Sequence, residues 1–210
     1  MHYIKLCFYW IFTWPHIICY LLTCQEQKKR LKKDIERALE LRREIVSKCF
    51  IWTLYNWIVA GKSNRDIFYM RIGQLSKLLK WYLPGETLCG IYATKRNFIG
   101  GGLIIQHGWA MVLDASSVGE NLWINQGVTV GYRGNGHPTI GNNVRIGTGA
   151  VVLGDIKIGN NVNIGANAIV IDDVPDNVTV VSPKAQIIKI RENYKGGVVN
   201  TLIFNKIQAA

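Results

Sequence analysis

The chain has 210 residues, a hydrophobic fraction of 49% and a formal net charge of +11. That length allows one large domain or two small ones. Five cysteines, odd in number and irregularly spaced, point to reduced thiols in a cytoplasmic protein rather than to a disulfide framework. No cysteine pair has zinc-ligand spacing, so no metal is expected. The basic excess is uneven: residues 99 to 176 carry six acids against three bases, so it lies outside that stretch.

Residues 1 to 24 are apolar and aromatic, with Phe8, Tyr9, Trp10, Phe12, Trp14 and Tyr20 among Leu and Ile. Lys5 and Pro15-His16 interrupt the stretch, and the uncharged run from Leu6 to Cys24 barely reaches spanning length. No A-x-A site follows it, as a secretory signal would require. Rings of this kind suit peripheral contact with a membrane, at the inner face of the cell membrane, or equally a buried oligomer contact.

Gln25 to Lys48 holds nine Lys/Arg and five Asp/Glu, with Leu31, Ile35, Leu39 and Ile45/Val46 at helical spacing. The pattern predicts an amphipathic helix with a solvated charged face, for which anionic lipid is a second use. Nucleic acid is not an expected partner, because residues 99 to 174 lack a basic, aromatic platform. Cys49 to Ala60 continues as an apolar aromatic helix stopped by Gly61. Ser63 and Asp66 resemble a capping box for a third helix over about Arg65 to Tyr82, closed by Pro84-Gly85.

From Ile99 to Val174 one aliphatic residue recurs at every sixth position: Ile99, Ile105, Val112, Val118, Ile124, Val130, Ile140, Ile146, Val152, Ile158, Ile164, Val170. A second small or aliphatic residue follows four positions later, as at Leu122, Val144, Ile156 and Ala168. A period of six fits neither a helix nor an alternating strand. It fits a parallel β-helix in which each hexad is one short strand and its corner, and three hexads close a triangular coil. Glycine or asparagine is expected where a corner needs positive φ. About four coils are predicted. The organisation read from the chain is a helical region over 1–88, the β-helix over 89–190, ending in a capping strand within 178–190, and a tail over 191–210.

The ladder breaks twice. One extra residue lies between Ile105 and Val112, after His107, and four lie between Val130 and Ile140. The second insertion includes Tyr132, Arg133, Asn135 and His137. Insertions in a solenoid bulge outward, so chemistry is sought at these two histidines. Stacking three hexads per coil also puts His107, Gln126, Thr148 and Ala166 in one outward column, a shallow groove headed by an imidazole.

Several stretches carry a resemblance: Ile105-Gln106-His107-Gly108, Asn125-Gln126-Gly127-Val128-Thr129-Val130-Gly131, Gly136-His137-Pro138, Ile146-Gly147-Thr148-Gly149-Ala150 and Ile164-Gly165-Ala166. By these, residues 92 to 190 resemble the serine acetyltransferase branch of the hexapeptide-repeat acyltransferases. The resemblance implies a left-handed β-helix, a homotrimer (with a hexamer left open), sites between subunits and acetyl-CoA as co-substrate. It makes His107 the catalytic base and His137 a second active-site histidine. Gly131, Thr148 and Ala166 match positions lining the CoA groove, and Gln126, Arg133 and Lys184 are further candidates for it.

Three departures stand against the matches. Tyr92, Gln106 and Gly136 replace an acid that orients the base, an acid before it and an arginine before the second histidine. Without those charges a neutral acceptor is expected, a sugar hydroxyl of a surface polysaccharide or its precursor. A backbone carbonyl or Asp114 is then the candidate to orient His107. The alternatives weighed are a serine O-acetyltransferase, a non-catalytic β-helix scaffold and a γ-type carbonic anhydrase. The last needs three histidines around zinc where the ladder offers two.

Overall fold

The computed structural model describes residues 13–45, 47–79, 89–90, 99–134 and 136–185. Tyr92, the residues before 13 and the expected tail lie outside them. Helices come first: α1 (13–22), α2 (Gln25–Arg42), α3 (Phe50–Ala60), α4 (Lys62–Ile72), a 3-10 turn (Gly73–Leu75) and α5 (Ser76–Leu79). Helix α2 is shorter than its charge pattern suggests. Arg43 turns left-handed at φ 56° and its N–H caps Glu40 and Leu39, which leaves Ile45 exposed. Helix α4 starts three residues before the expected position, with extended Gly61 at its N-cap. Ser63 therefore caps nothing, and its hydroxyl is free for another partner.

Among the described residues thirteen short strands follow: β1 (Cys89–Gly90), β2 (Ile104–Gln106), β3 (Met111–Leu113), β4 (Ser117–Val118), β5 (Trp123–Asn125), β6 (Thr129–Gly131), β7 (Thr139–Ile140), β8 (Arg145–Ile146), β9 (Val151–Leu153), β10 (Lys157–Ile158), β11 (Asn163–Ile164), β12 (Ile169–Val170) and β13 (Thr179–Val180). All ladder pairings between them are parallel, in three sheets ordered β1-β3-β6-β9-β12, β10-β7-β4 and β13-β11-β8-β5-β2. This is the parallel β-helix of about four coils that the hexad period demands, of the left-handed kind that the resemblance implies. Ile105 in β2 (Ile104–Gln106) stacks on Ile124 in β5 (Trp123–Asn125), then on Ile146, Ile164 and Val180. Ile124, Val130, Ile146 and Val152 reach zero exposure, each worth about 1.5–3 kcal/mol of burial. The chain runs on past Pro175: Val174 still bridges Ile158, and β13 pairs β11 (Asn163–Ile164).

One rung is corrected. In β3 (Met111–Leu113) it is Leu113, at 1% exposure, that stacks on Val130, while Val112 is half-buried and faces out. The first insertion therefore adds two residues, and the next hexad is one residue short. His107 (φ 53°) and Ala110 (φ 47°) bend the chain into this detour.

The corners divide their work differently from the simple expectation. Asn121, Asn143, Asn161 and Asn177 take positive φ at one corner, and their side-chain amides bond in series at 2.9–3.0 Å. The glycines directly after rungs serve close approach instead. A Cβ on Gly141 would lie 2.6 Å from the carbonyl oxygen of Gly159 in the coil below.

Helix α2 is stitched to the first two coils by residues on one of its faces. Asp34 lies at 0% exposure and accepts from Arg71 Nε (2.9 Å), Arg71 Nη2 (3.1 Å) and the Leu103 N–H (2.8 Å). Arg71 also donates to the carbonyls of Ile99 and Gly100, at 2.7 and 2.6 Å. Arg30 and Arg37 reach the carbonyls of Ile99 and Gly102, and Lys33 pairs with Glu120 at 2.6 Å. Gly101 makes the approach feasible, since a Cβ there would meet Lys33 Cδ at 2.8 Å.

Candidate active site

His107 follows β2 at the corner where the chain leaves the β2 sheet for β3. Its ring is exposed and its backbone sits in the left-handed region, unusual for a side chain without glycine's freedom. Two contacts hold that turn: Trp109 N–H donates to His107 O at 2.5 Å, and Gly108 N–H meets Ser63 Oγ at 3.4 Å. The hydroxyl expected to cap α4 thus supports the turn that presents the histidine.

A cavity of about 510 Å³ opens between the helical region and the first coil, and His107 and Gln106 line it. Trp57, Lys62, Ser63, Asn64 and Asp66 come to it from the helices, and Trp109 and Trp123 from the coils. Reading the repeat alone missed the helical contributors, because no periodicity links α4 to a corner more than forty residues away. Trp123 is fixed in place: its Nε1–H donates to Asn125 Oδ1 at 2.9 Å, and the Arg145 guanidinium lies 4.7 Å over its ring.

The outward column forms, but His107 is not its head. Gln106 registers with Asn125, and the Gly127 N–H bonds Trp109 O at 2.8 Å, so His107 and Gly108 are the two extra residues and Trp109 stands over Gln126, followed by Thr148 and Ala166. Gly149 N–H bonds Gln126 O, Asn167 N–H bonds Thr148 O, and Ser182 Oγ bonds Ala166 O at 3.3 Å, which extends the column by one step. Lys184 lies exposed two residues further on. Gln126 Oε1 is buried with no hydrogen-bond partner among the described residues, an orphaned acceptor below the corner that carries His107.

His137, Gly131 and Arg133 occupy a different corner. The second insertion closes on itself, with Arg133 and Gly136 forming an antiparallel bridge and Tyr132 OH donating to Gly134 O. His137 lies at its end, 5.4 Å from the Tyr132 ring. Its Nδ1 is 3.3 Å from Asp114 Oδ2, within ion-pair distance although not aligned as a hydrogen bond. Asp114 therefore accompanies His137 and not His107: the shift of the rung to Leu113 puts Asp114 at the far edge of β3. Within one chain the two histidines flank opposite edges of the same sheet, and the cavity lined by His107 is not lined by His137.

Known proteins share both the repeat and the larger architecture. Residues 137–172 match the family model described as bacterial transferase hexapeptide (six repeats). The chain is 34% identical over 173 residues to a serine acetyltransferase of Staphylococcus epidermidis, covering 77% of this chain and 78% of the relative. Identity to a serine acetyltransferase of Staphylococcus aureus is 35% over the same length and coverage. Among solved structures, Neisseria gonorrhoeae serine acetyltransferase in complex with serine superposes with a TM-score of 0.58 at 28% identity, over 80% of this chain and 71% of that one. Entamoeba histolytica serine acetyltransferase 1 in complex with L-cysteine gives 0.56 at 27% identity, over 81% and 68%.

Proposed function

Because the chain belongs to the hexapeptide-repeat acyltransferases, in their serine acetyltransferase-like branch, and is thereby an O-acetyltransferase, we propose that it carries an acetyl group from acetyl-CoA to the hydroxyl of L-serine. The single observation behind this acceptor is the similarity to serine acetyltransferases across most of both chains. The neutral sugar expected from the sequence has no counterpart in the names of those relatives.

His107 is the proposed base. A hydroxyl is a weak nucleophile at neutral pH, so the imidazole takes its proton as the oxygen attacks the thioester carbonyl. The tetrahedral oxyanion then collapses, the thiolate leaves, and the imidazolium returns the proton to give CoA and the acetyl ester. The column Gln126–Thr148–Ala166 suits an extended pantetheine arm. The orphaned Gln126 Oε1 is an acceptor fitted to an amide N–H, and Lys184 at the foot suits phosphate. Gly131, Arg133 and His137 lie at the other edge of the sheet. They complete such a groove only when supplied by a second copy, as in a trimer.

A second reading is favoured by the site itself. Gln106, beside His107, is neutral, and Trp57, Trp109 and Trp123 line the cavity in which both stand. Aromatic walls suit a sugar ring as well as an amino acid. CoA release measured with L-serine and, separately, with neutral oligosaccharides distinguishes the two. Turnover on serine supports the proposal. Turnover on a sugar alone replaces the acceptor while keeping the enzyme class, and no turnover on either overturns both acceptors.

A further inference from the structure

Helix α1 has two faces of opposite fate. Thr13, His16 and Cys19 lie at 1%, 0% and 6% exposure, and His16 Nε2 is 3.1 Å from the Tyr69 hydroxyl on α4. The other face carries Trp14, Ile18, Leu21 and Leu22 at i, i+4, i+7 and i+8, with exposures of 44–68%. Four large apolar side chains on one stripe are more than scattered surface residues.

Basic groups stand near the C-terminal end of this stripe. Lys28 Nζ bonds the carbonyl of Leu21 at 2.8 Å and lies 5.6 Å over the Tyr20 ring. Tyr20 in turn meets Phe50 of α3 at 5.8 Å, two residues beyond Lys48. Lys29 and Lys48 are exposed and form no ion pair among the described residues. Residues 13–79 hold thirteen Lys/Arg against six Asp/Glu. No described helix is long and apolar enough to cross a membrane. A short apolar face bordered by uncompensated lysines has the chemistry of an interfacial helix.

We propose that the outward face of α1, with Lys28, Lys29 and Lys48 at its border, docks on an anionic lipid surface. The apolar side chains enter the headgroup boundary and the lysines rest on phosphate. Acetyl transfer plays no part in this, so its failure leaves the enzymatic reading untouched.

The test is co-sedimentation of the full chain with vesicles of phosphatidylglycerol and phosphatidylcholine in equal parts, against phosphatidylcholine alone. Binding to the anionic vesicles by about tenfold or more over the neutral ones, weakened by salt, is expected from two or three lysines at the surface. Leu21→Ser/Leu22→Ser abolishes it. Lys29→Gln/Lys48→Gln, which alters only exposed side chains, lowers it with an unchanged circular-dichroism spectrum. Absence of wild-type binding overturns the proposal, as does equal binding by both variants. Loss of oligomeric size in the leucine variant, with no vesicle binding by either chain, assigns the face to a second copy and also overturns it.

Discussion

Gly141 and Asp34 show how single positions carry more than their residue type announces. A methyl group on Gly141 has nowhere to go, because the Gly159 carbonyl is fixed in the coil below. Gly141→Ala is predicted to cost about 1–3 kcal/mol, read as a lowered midpoint of denaturant unfolding. Asp34 was legible only as part of a charged helical face. It is fully buried because Arg71, 37 residues away, and the Leu103 N–H converge on its carboxylate. Burial pushes its carboxyl up, and the Arg71 guanidinium and the hydrogen bonds pull it back. Removing one partner strands the other charge, so Asp34→Ala is predicted to destabilise by about 3–5 kcal/mol in the same measurement. The rung at Leu113 failed to be read for a related reason. Val112 and Leu113 are equally aliphatic, and only the left-handed turns at His107 and Ala110 decide which of them faces inward.

At the scale of elements, the solenoid was legible because its repeat is short and strict, and each rung tests the same register again. The helices were less so: α2 ends at the left-handed turn of Arg43 and α4 begins after extended Gly61, neither of which the apolar and charged spacing marks. The last coil offers a pH test. The Asn160 backbone and side-chain N–H groups bond Asp176 and hold its carboxyl below the ordinary value of 3.8. A carboxylate with a depressed folded pKa stabilises above its unfolded value and loses that contribution as pH falls through the folded one. Acidification below about pH 4 should therefore loosen this coil first, with faster amide exchange at Asn160. Asp176→Asn should remove that pH dependence. In the asparagine ladder, Asn161→Ala breaks a bond above and one below and places alanine at φ 55°. A loss of about 1–3 kcal/mol is predicted.

At the scale of the molecule, the helical region does more than precede the β-helix. It is bolted to the first two coils and supplies half of the cavity beside His107. The positions of His107 and His137, proposed as base and second histidine, were singled out in the sequence because the two insertions mark them. The walls of the cavity were not, since they come from helices whose residues carry no such mark. The acceptor divides the two sources of information: the lost charges pointed to a neutral hydroxyl, and the similarity across the chain points to serine. Opposite placement of His107 and His137 in one chain makes a further prediction. Coexpressed His107→Ala and His137→Ala chains should recover part of the activity that each lacks alone, provided the groove forms between copies.

The most direct test is thiol release from acetyl-CoA with L-serine as acceptor, measured on the wild type and on His107→Ala side by side. The account predicts serine-dependent release that falls by about a hundredfold or more in the variant, with its circular dichroism unchanged. Equal release by the two proteins would contradict the base, and no serine-dependent release by the wild type would contradict the acceptor.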